Sequence, residues 1–269
     1  MNPHLLSHRL VSPVLRRKIR RMLTAWGWEH RFLRQRRPGL AYLKGDGIEI
    51  GAFEHPAPLP RGCRTCYVDA ITREQAAVLF PEIDVSALVV PDHLIDLNRD
   101  GLTKFRAGQW DYAIACHVIE HLENPGRFVG ELFRVVRAGG LVVIAAPDQR
   151  FTFDRARPET PEAELYRYFI EGRTVTPADY ADISRYVNTT DLALDDEARA
   201  RRLEMYQSRR EHLSVWTSAG FRQFWISALQ WNEVRAEPIY EVNGERNRFE
   251  YFGVWKSLAT CRASGPSGC

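Results

Sequence analysis

Between residues 47 and 145, short apolar runs that end in glycine or an acid alternate with amphipathic helical patterns. This alternation constrains the fold more than any other feature of the chain. Gly47-Ile48-Glu49-Ile50-Gly51 reads as a buried strand closed by a glycine, and Thr65 to Asp69 as a second strand closed by an acid. His93 to Leu97, Trp110 to Cys116 and Leu141 to Ala145 supply three more, the last being the most apolar. Thr72 to Phe80 is helical in composition with Thr72 placed to cap it. Pro125 to Arg137 puts Phe128, Leu132, Val135 and Val136 on one helical face, and Ala138-Gly139-Gly140 follows as a stop. Strands alternating with helices imply βαβ units, so the expected fold is α/β with a doubly wound, mostly parallel sheet.

The flanks differ from this centre. Residues 1–40 carry ten Lys/Arg against the single acid Glu29, a net +9, although the whole chain sums to only +3. Val11, Leu15, Ile19, Met22 and Trp26 fall on one helical stripe that Arg16, Arg17, Arg20 and Arg21 avoid. Such an arm either meets an acidic membrane surface, a polyanion or a partner, or packs its stripe on the body and solvates its charges. Pro38-Gly39 is a breaker pair and the expected boundary, giving an arm at 1–40, a body at 41–258 and a flexible tail at 259–269. Residues 150–210 are polar and helical in pattern at Glu162–Glu171 and Leu192–Arg210, which reads as a helical insert shaped to lie over the sheet edge. From Glu211 to Trp255 the composition turns strand-like again.

Several classes are disfavoured at this stage. No apolar run approaches the roughly 20 residues needed to span a bilayer, and the N-terminus lacks the apolar core of a secretory signal. Five cysteines form no disulfide framework and fit reduced thiols in the cytoplasm. Cys63 and Cys66 make a lone CxxC with no second pair, so they read as loop thiols and no metal site is expected. The body is acidic and shows no aromatic-basic face, which disfavours nucleic acid as a partner.

In an open parallel sheet ligands bind beyond the carboxyl ends of the strands. After the first strand only Gly51 of a pyrophosphate loop is present, and Phe53, Glu54 and His55 would crowd a diphosphate. A nucleoside cofactor without a diphosphate needs no more than the close approach at Gly51. Asp69, at the end of strand two, stands where a carboxylate accepts both ribose hydroxyls, and Asp96 ends strand three within reach of an exocyclic amine.

Strand four runs into Cys116-His117-Val118-Ile119-Glu120-His121-Leu122. With Gly47 to Gly51, Asp111 to His121 and Arg137 to Leu141, the sequence resembles the class I S-adenosylmethionine-dependent methyltransferases, which have a Rossmann-like fold. The segment Pro147-Asp148-Gln149-Arg150-Phe151-Thr152-Phe153-Asp154-Arg155-Ala156-Arg157-Pro158 is similar to a bacterial branch associated with surface glycan assembly. The resemblance covers residues 45–160 well and Glu211–Thr217 weakly. It implies that Glu49, Gly51 and Ala52 line the methionine end of the cofactor, Asp69 the ribose, Asp96 and Leu97 the adenine, and Cys116 and His117 the sulfonium side. Two departures stand out. The loop Glu-x-Gly-x-Gly-x-Gly keeps only its first glycine here, and of a late His-x-His motif His212 remains while Ser214 replaces the second histidine.

Methyl transfer from a sulfonium needs chiefly an acceptor aligned in line. A hydroxyl acceptor also needs a base that works near neutrality. The candidates for that base are His212, Asp148, His121 and Asp154; Arg150, Arg155 and Arg157 are available to hold a phosphate or carboxylate of the acceptor, and Asp154 counts among the substrate-binding residues as well. The leading expectation is an O-methyltransferase for a sugar hydroxyl of a surface polysaccharide or lipid-linked precursor, with the arm touching the inner face of the membrane. The alternatives are a small-metabolite or nucleic-acid methyltransferase, or a binding scaffold that retains the fold. The oligomeric state is not legible in the sequence.

Overall fold

The computed structural model describes residues 34–258. The helical stripe from Val11 to Trp26 and the tail from Cys261 to Cys269 lie outside the described residues. Seven strands form one sheet: β1 (Asp46–Ile50), β2 (Arg64–Asp69), β3 (His93–Leu94), β4 (Trp110–Cys116), β5 (Val136–Pro147), β6 (Ala236–Val242) and β7 (Glu250–Ser257). Their order is β3-β2-β1-β4-β5-β7-β6. The first five run parallel, and β7 is antiparallel to both β5 and β6. The central strands are covered on both faces, which is why their sequences are unbroken apolar runs: Ile48, Ala113, Ile114, Val142, Val143 and Ile144 are fully buried.

The described helices are α1 (Arg36–Leu40), α2 (Arg73–Leu79), α3 (Leu97–Asp100), α4 (Pro125–Val135), α5 (Glu162–Glu171), α6 (Ala181–Tyr186), α7 (Asp196–Ser208), α8 (Ser218–Trp231) and α9 (Gly244–Asn247). Thr72 caps α2 in a reciprocal arrangement with Gln75. Asn124 caps α4, Pro125 opens it, and Phe128, Val129, Leu132, Phe133 and Val135 are buried from it. In the segment from α5 to α7, Tyr180, Ile183 and Tyr206 form a small core together with Leu213 beyond it.

Several expectations differ from the structure. The helix expected to reach Arg137 ends at Val135, because Gly139 and Gly140 form an irregularity within β5 instead of a helix stop. The register there steps from Trp110↔Val136 to Tyr112↔Leu141, with Gly139 at φ +76°. The third strand ends at Leu94, and Asp96 caps α3 by accepting the Asn98 N–H at 3.1 Å. The helix expected over Leu192–Arg210 is shorter, Asp196–Ser208, with Asp195 as its cap. The strand-like stretch after Glu211 contains the fourteen-residue α8, whose buried Phe221, Phe224, Trp225, Ala228 and Leu229 follow helical spacing. The breaker pair Pro38-Gly39 lies inside α1, where a Cβ at Gly39 would meet Phe252 Cε1 at 2.7 Å, and Leu40 is buried. Residues 36–40 are therefore packed on the body.

Candidate active site

The sheet changes winding direction between β1 and β4, and the carboxyl ends of β1, β2 and β4 open there onto a cleft of about 640 Å³. At the end of β1, Gly51 has φ +67°, and a Cβ would sit 2.7 Å from Val118 Cγ2. Only glycine fits that turn. The connection from Gly51 to Cys63 holds no helix, so no helix N-terminus faces the cleft from β1 to receive a diphosphate.

Two carboxylates stand on this side. Glu49 is buried, its Oε1 accepts the Ala57 N–H at 2.9 Å, and its Oε2 is buried with no protein partner. Burial pushes its carboxyl up to about 7, against the Ala57 N–H and the Arg36 charge. Asp69 Oδ1 accepts the Ala70 N–H at 2.7 Å, and burial raises its carboxyl above the usual range. Ala52, Leu97, Cys116 and His117 line the same cleft. The Cys116 thiol is pushed up to about 12 by burial and stays protonated. Asp96 is placed differently from expectation. It lies on the wall of a second, polar cavity of about 430 Å³, and Arg210 engages its carboxylate at 2.5 and 3.2 Å. The two cavities share His121, Ser208 and Arg210.

The opposite side of the cleft is a chain of histidines and carboxylates. His117 has φ +57°, an uncommon conformation for a residue with a side chain. Its ring stacks on Phe249, with Nε2 2.7 Å from Glu250 Oε2 and Nδ1 3.5 Å from Glu120 Oε1. Glu250 arrives here because β7 is antiparallel and starts opposite Pro147, at the carboxyl edge of β5. Arg36 of α1 donates two hydrogen bonds to it at 2.7 and 2.5 Å. Burial drives the Glu250 carboxyl upward, but Arg36 and His117 outweigh it and hold the group down at about 2.

His121 donates from Nδ1 to the Arg210 carbonyl at 2.5 Å, and burial together with nearby His212 lowers it to about 4. His212 has Nδ1 2.7 Å from Asp154 Oδ2 and Nε2 3.9 Å from Glu120 Oε1. Burial opposes its charge, but Asp154 and Glu120 raise it above the ordinary histidine value. The two imidazole rings stand edge to face with centroids 4.7 Å apart. Arg157, itself buried, holds Asp154 at 2.8 Å, Asp182 at 2.8 Å and the His212 carbonyl at 3.0 Å.

The structure thus separates the expected acceptor residues. His121 and His212 come together. Asp148 does not join them: it is fully buried, accepts the Ser218 N–H at 3.0 Å and the Arg150 N–H at 3.1 Å, and is engaged by the Arg150 side chain. Its carboxylate is consumed in joining the end of β5 to α8, so it has no free atom for an acceptor. Arg150 spans Asp148 and Glu245, while Asp154 and Arg157 are buried behind His212. None of these three lines the cleft. Sequence reasoning missed Arg36, Glu120, Arg210 and Glu250. For Glu250 the signal was an acid opening the apolar run Tyr251-Phe252-Gly253-Val254-Trp255.

The chain is similar to solved structures of low identity. A protein provisionally named as a Zn-dependent alcohol dehydrogenase, from Rhodobacter sphaeroides, is 14% identical with a TM-score of 0.51, over 87% of this chain and 94% of that one. A SAM-dependent methyltransferase from Methanosarcina mazei is 13% identical with a TM-score of 0.42, over 83% of this chain and 97% of that one. The CurJ carbon methyltransferase is 14% identical with a TM-score of 0.42 over 85% of this chain, which spans only 54% of that structure. No curated protein matches the sequence. Residues 45–228 match a methyltransferase domain. The cleft suits the cofactor S-adenosylmethionine: it has a buried carboxylate oxygen without a partner at Glu49, a second carboxylate at Asp69, room for a nucleoside and no diphosphate cradle. The match covers more than half of the sequence, and the chain belongs to the methyltransferase-domain family, with S-adenosylmethionine as its cofactor.

Proposed function

We propose that the chain transfers the methyl group of S-adenosylmethionine to a hydroxyl oxygen, and that the hydroxyl belongs to a sugar of a surface polysaccharide or its lipid-linked precursor. The observation that carries the hydroxyl reading is the pair of imidazoles at the end of β4. Carbon and nitrogen nucleophiles that are already activated need only alignment, whereas a hydroxyl must lose its proton as the new bond forms. His121 and His212 each commit Nδ1 to a carbonyl or carboxylate, which leaves both Nε2 atoms as the proton-accepting sites of the cluster.

The bound cofactor supplies an electrophilic methyl on a sulfonium. Asp69 would hold the ribose hydroxyls and Glu49 the ammonium group, and Gly51 would let the backbone approach closely. His117, fixed between Glu250 and Glu120, forms the wall on the methyl side. An Nε2 atom would take the proton of the acceptor oxygen as that oxygen receives the methyl group, leaving the cofactor as its neutral sulfide. Two further points support a sugar. The second cavity, sharing His121 with the cleft, is walled by Asn98, Glu123, Tyr180 and Gln207, which suit a polyhydroxylated ligand. The segment Pro147–Pro158 carries the resemblance to the glycan-associated branch.

Incubation with carbon-13-labelled methyl donor and a panel of nucleotide sugars, lipid-linked sugars and purified polysaccharide tests this. The expected product is a labelled methoxy carbon on a sugar. Label appearing only on carbon or nitrogen of any acceptor contradicts it. The same reading places the basic arm against anionic lipid at the inner face of the membrane. Among the described residues no helix is long and apolar enough to cross a membrane. Sedimentation with anionic vesicles, with and without residues 1–33, checks the arm. Equal retention of the two forms contradicts a lipid role.

A further inference from the structure

We propose that Glu120, His121 and His212 form a binding site for one divalent transition-metal ion. Their donor atoms all lie within 4.8 Å of one another. Three donors around a cation at roughly 2.0–2.2 Å stand about 3.4 Å apart in a tetrahedral arrangement. The Glu120 Oε1 to His212 Nε2 separation of 3.9 Å closes to that value by a small inward shift.

The independent sign of a ligand is Glu120. It is 1% exposed, and neither carboxylate oxygen has a hydrogen-bond partner, although His117 Nδ1 and His212 Nε2 stand 3.5 and 3.9 Å from Oε1. Burying a carboxylate without satisfying its oxygens is costly, and native structures satisfy such groups with a partner or a metal. The histidines are prepared in the complementary sense. The Arg210 carbonyl can only accept, so His121 carries its proton on Nδ1 and presents the Nε2 lone pair. His212 Nδ1 is engaged by Asp154, which Arg157 anchors in turn, and this carboxylate–histidine arrangement orients metal-binding imidazoles. The backbone oxygen of Glu120 also accepts the N–H groups of Leu213 and Ser214 at 2.8 and 3.0 Å, which clamps the segment bearing His212 onto the turn bearing Glu120.

Two imidazoles and one carboxylate favour zinc, iron(II), cobalt(II) or manganese(II) over magnesium or calcium, which prefer all-oxygen sites. Three protein donors leave at least one coordination position open. His121 borders both cavities, so the site abuts the space where an acceptor would lie. The site stands on donor geometry and does not depend on the acceptor being a sugar; an ion held there would occupy the Nε2 lone pairs, and in the metal-loaded protein a metal-bound hydroxide would take the acceptor proton in place of an imidazole.

The test uses full-length protein free of affinity-tag histidines, stripped with a chelator and titrated with zinc or cobalt(II). Equilibrium dialysis with elemental analysis gives the stoichiometry, and the visible absorption of cobalt(II) gives the ligand field. One equivalent is expected, with nitrogen-and-oxygen ligation and no thiolate charge-transfer band. Glu120→Gln and His212→Asn each weaken binding at least about 100-fold, while the double variant Cys63→Ser/Cys66→Ser binds as the parent does. Circular dichroism and S-adenosylmethionine calorimetry accompany every variant, and the one that keeps its fold decides the matter if the other does not. The proposal is overturned by the absence of stoichiometric metal, by undiminished binding in the folded ligand variants, or by loss of binding in the cysteine variant. Failure of methyl transfer to sugars leaves these metal readouts unchanged, so the two readings fail separately.

Discussion

At the β1–β2 end of the cleft, Glu49 and Asp69 each stand on their own strand, and each makes its hydrogen bonds to backbone N–H groups with one carboxylate oxygen only. At the β4–β7 end, Arg36, Glu250, the His117–Glu120 turn, His212 and the Asp154–Arg157 turn arrive from separate parts of the chain and engage one another. The first end has polar capacity left for a ligand and little internal cohesion. The second is held together by mutual pairing in a buried setting, where each charge depends on its neighbour. Substitutions at the two ends therefore break different things: binding at the first, folding and acceptor chemistry at the second.

The largest effect is expected at Glu250. Glu250→Ala leaves the Arg36 guanidinium buried without its partner, since the two side chains are 0% and 11% exposed. Removing one member of such a pair costs about 3–5 kcal/mol, and chemical denaturation of the cofactor-free protein reads it. A loss under about 1 kcal/mol would mean that the far end is not held by pairing.

Next comes Asp69→Ala. Two hydrogen bonds from ribose hydroxyls to a carboxylate are worth about 1.5–3 kcal/mol each, so S-adenosylmethionine affinity falls at least about 100-fold. The denaturation midpoint stays near that of the parent, because Asp69 anchors only adjacent backbone groups. Unfolding alongside lost binding would blur the distinction between the two ends.

A smaller effect is expected from pH. Burial raises the Glu49 carboxyl from 4.5 to about 7 in the folded protein. A folded value above the unfolded one means that Glu49 contributes stability below about 4.5, and that this is lost as pH rises through about 7. Binding of an ammonium group has the opposite sign, because it favours the carboxylate. Cofactor affinity therefore rises about tenfold per pH unit below 7 and levels above it. Glu49→Gln makes the profile flat, and calorimetry between pH 5.5 and 8.5 checks both.

The two ends also differ in what the sequence discloses. Gly51 and Asp69 are legible because a strand end is a local feature: a run of apolar residues, then a glycine or an acid. Glu250 and Arg36 are brought to the site by an antiparallel strand and a short helix, and no local pattern marks either. Asp148 misleads for the same reason. It has the sequence position of an acceptor-binding acid, but the packing of α8 against β5 turns it into a buried anchor for the Ser218 N–H. The α8 helix was hidden because its aromatic residues satisfy strand composition and helical spacing at once, and only its contact with α4 decides between them.

The smallest effect belongs to Asp96. Its pair with Arg210 joins side chains 27% and 40% exposed, so Asp96→Ala costs less than about 1 kcal/mol of stability. A large loss of stability there would place a third buried network beneath the insert.

The account turns on the cleft binding its cofactor through the first end independently of the second. Calorimetric titration of S-adenosylmethionine into the parent protein, Asp69→Ala and His212→Asn tests that directly. The account predicts one site in the parent, its loss in Asp69→Ala, and parent-like affinity in folded His212→Asn. Absence of binding in the parent, or equal loss in both variants, would contradict it.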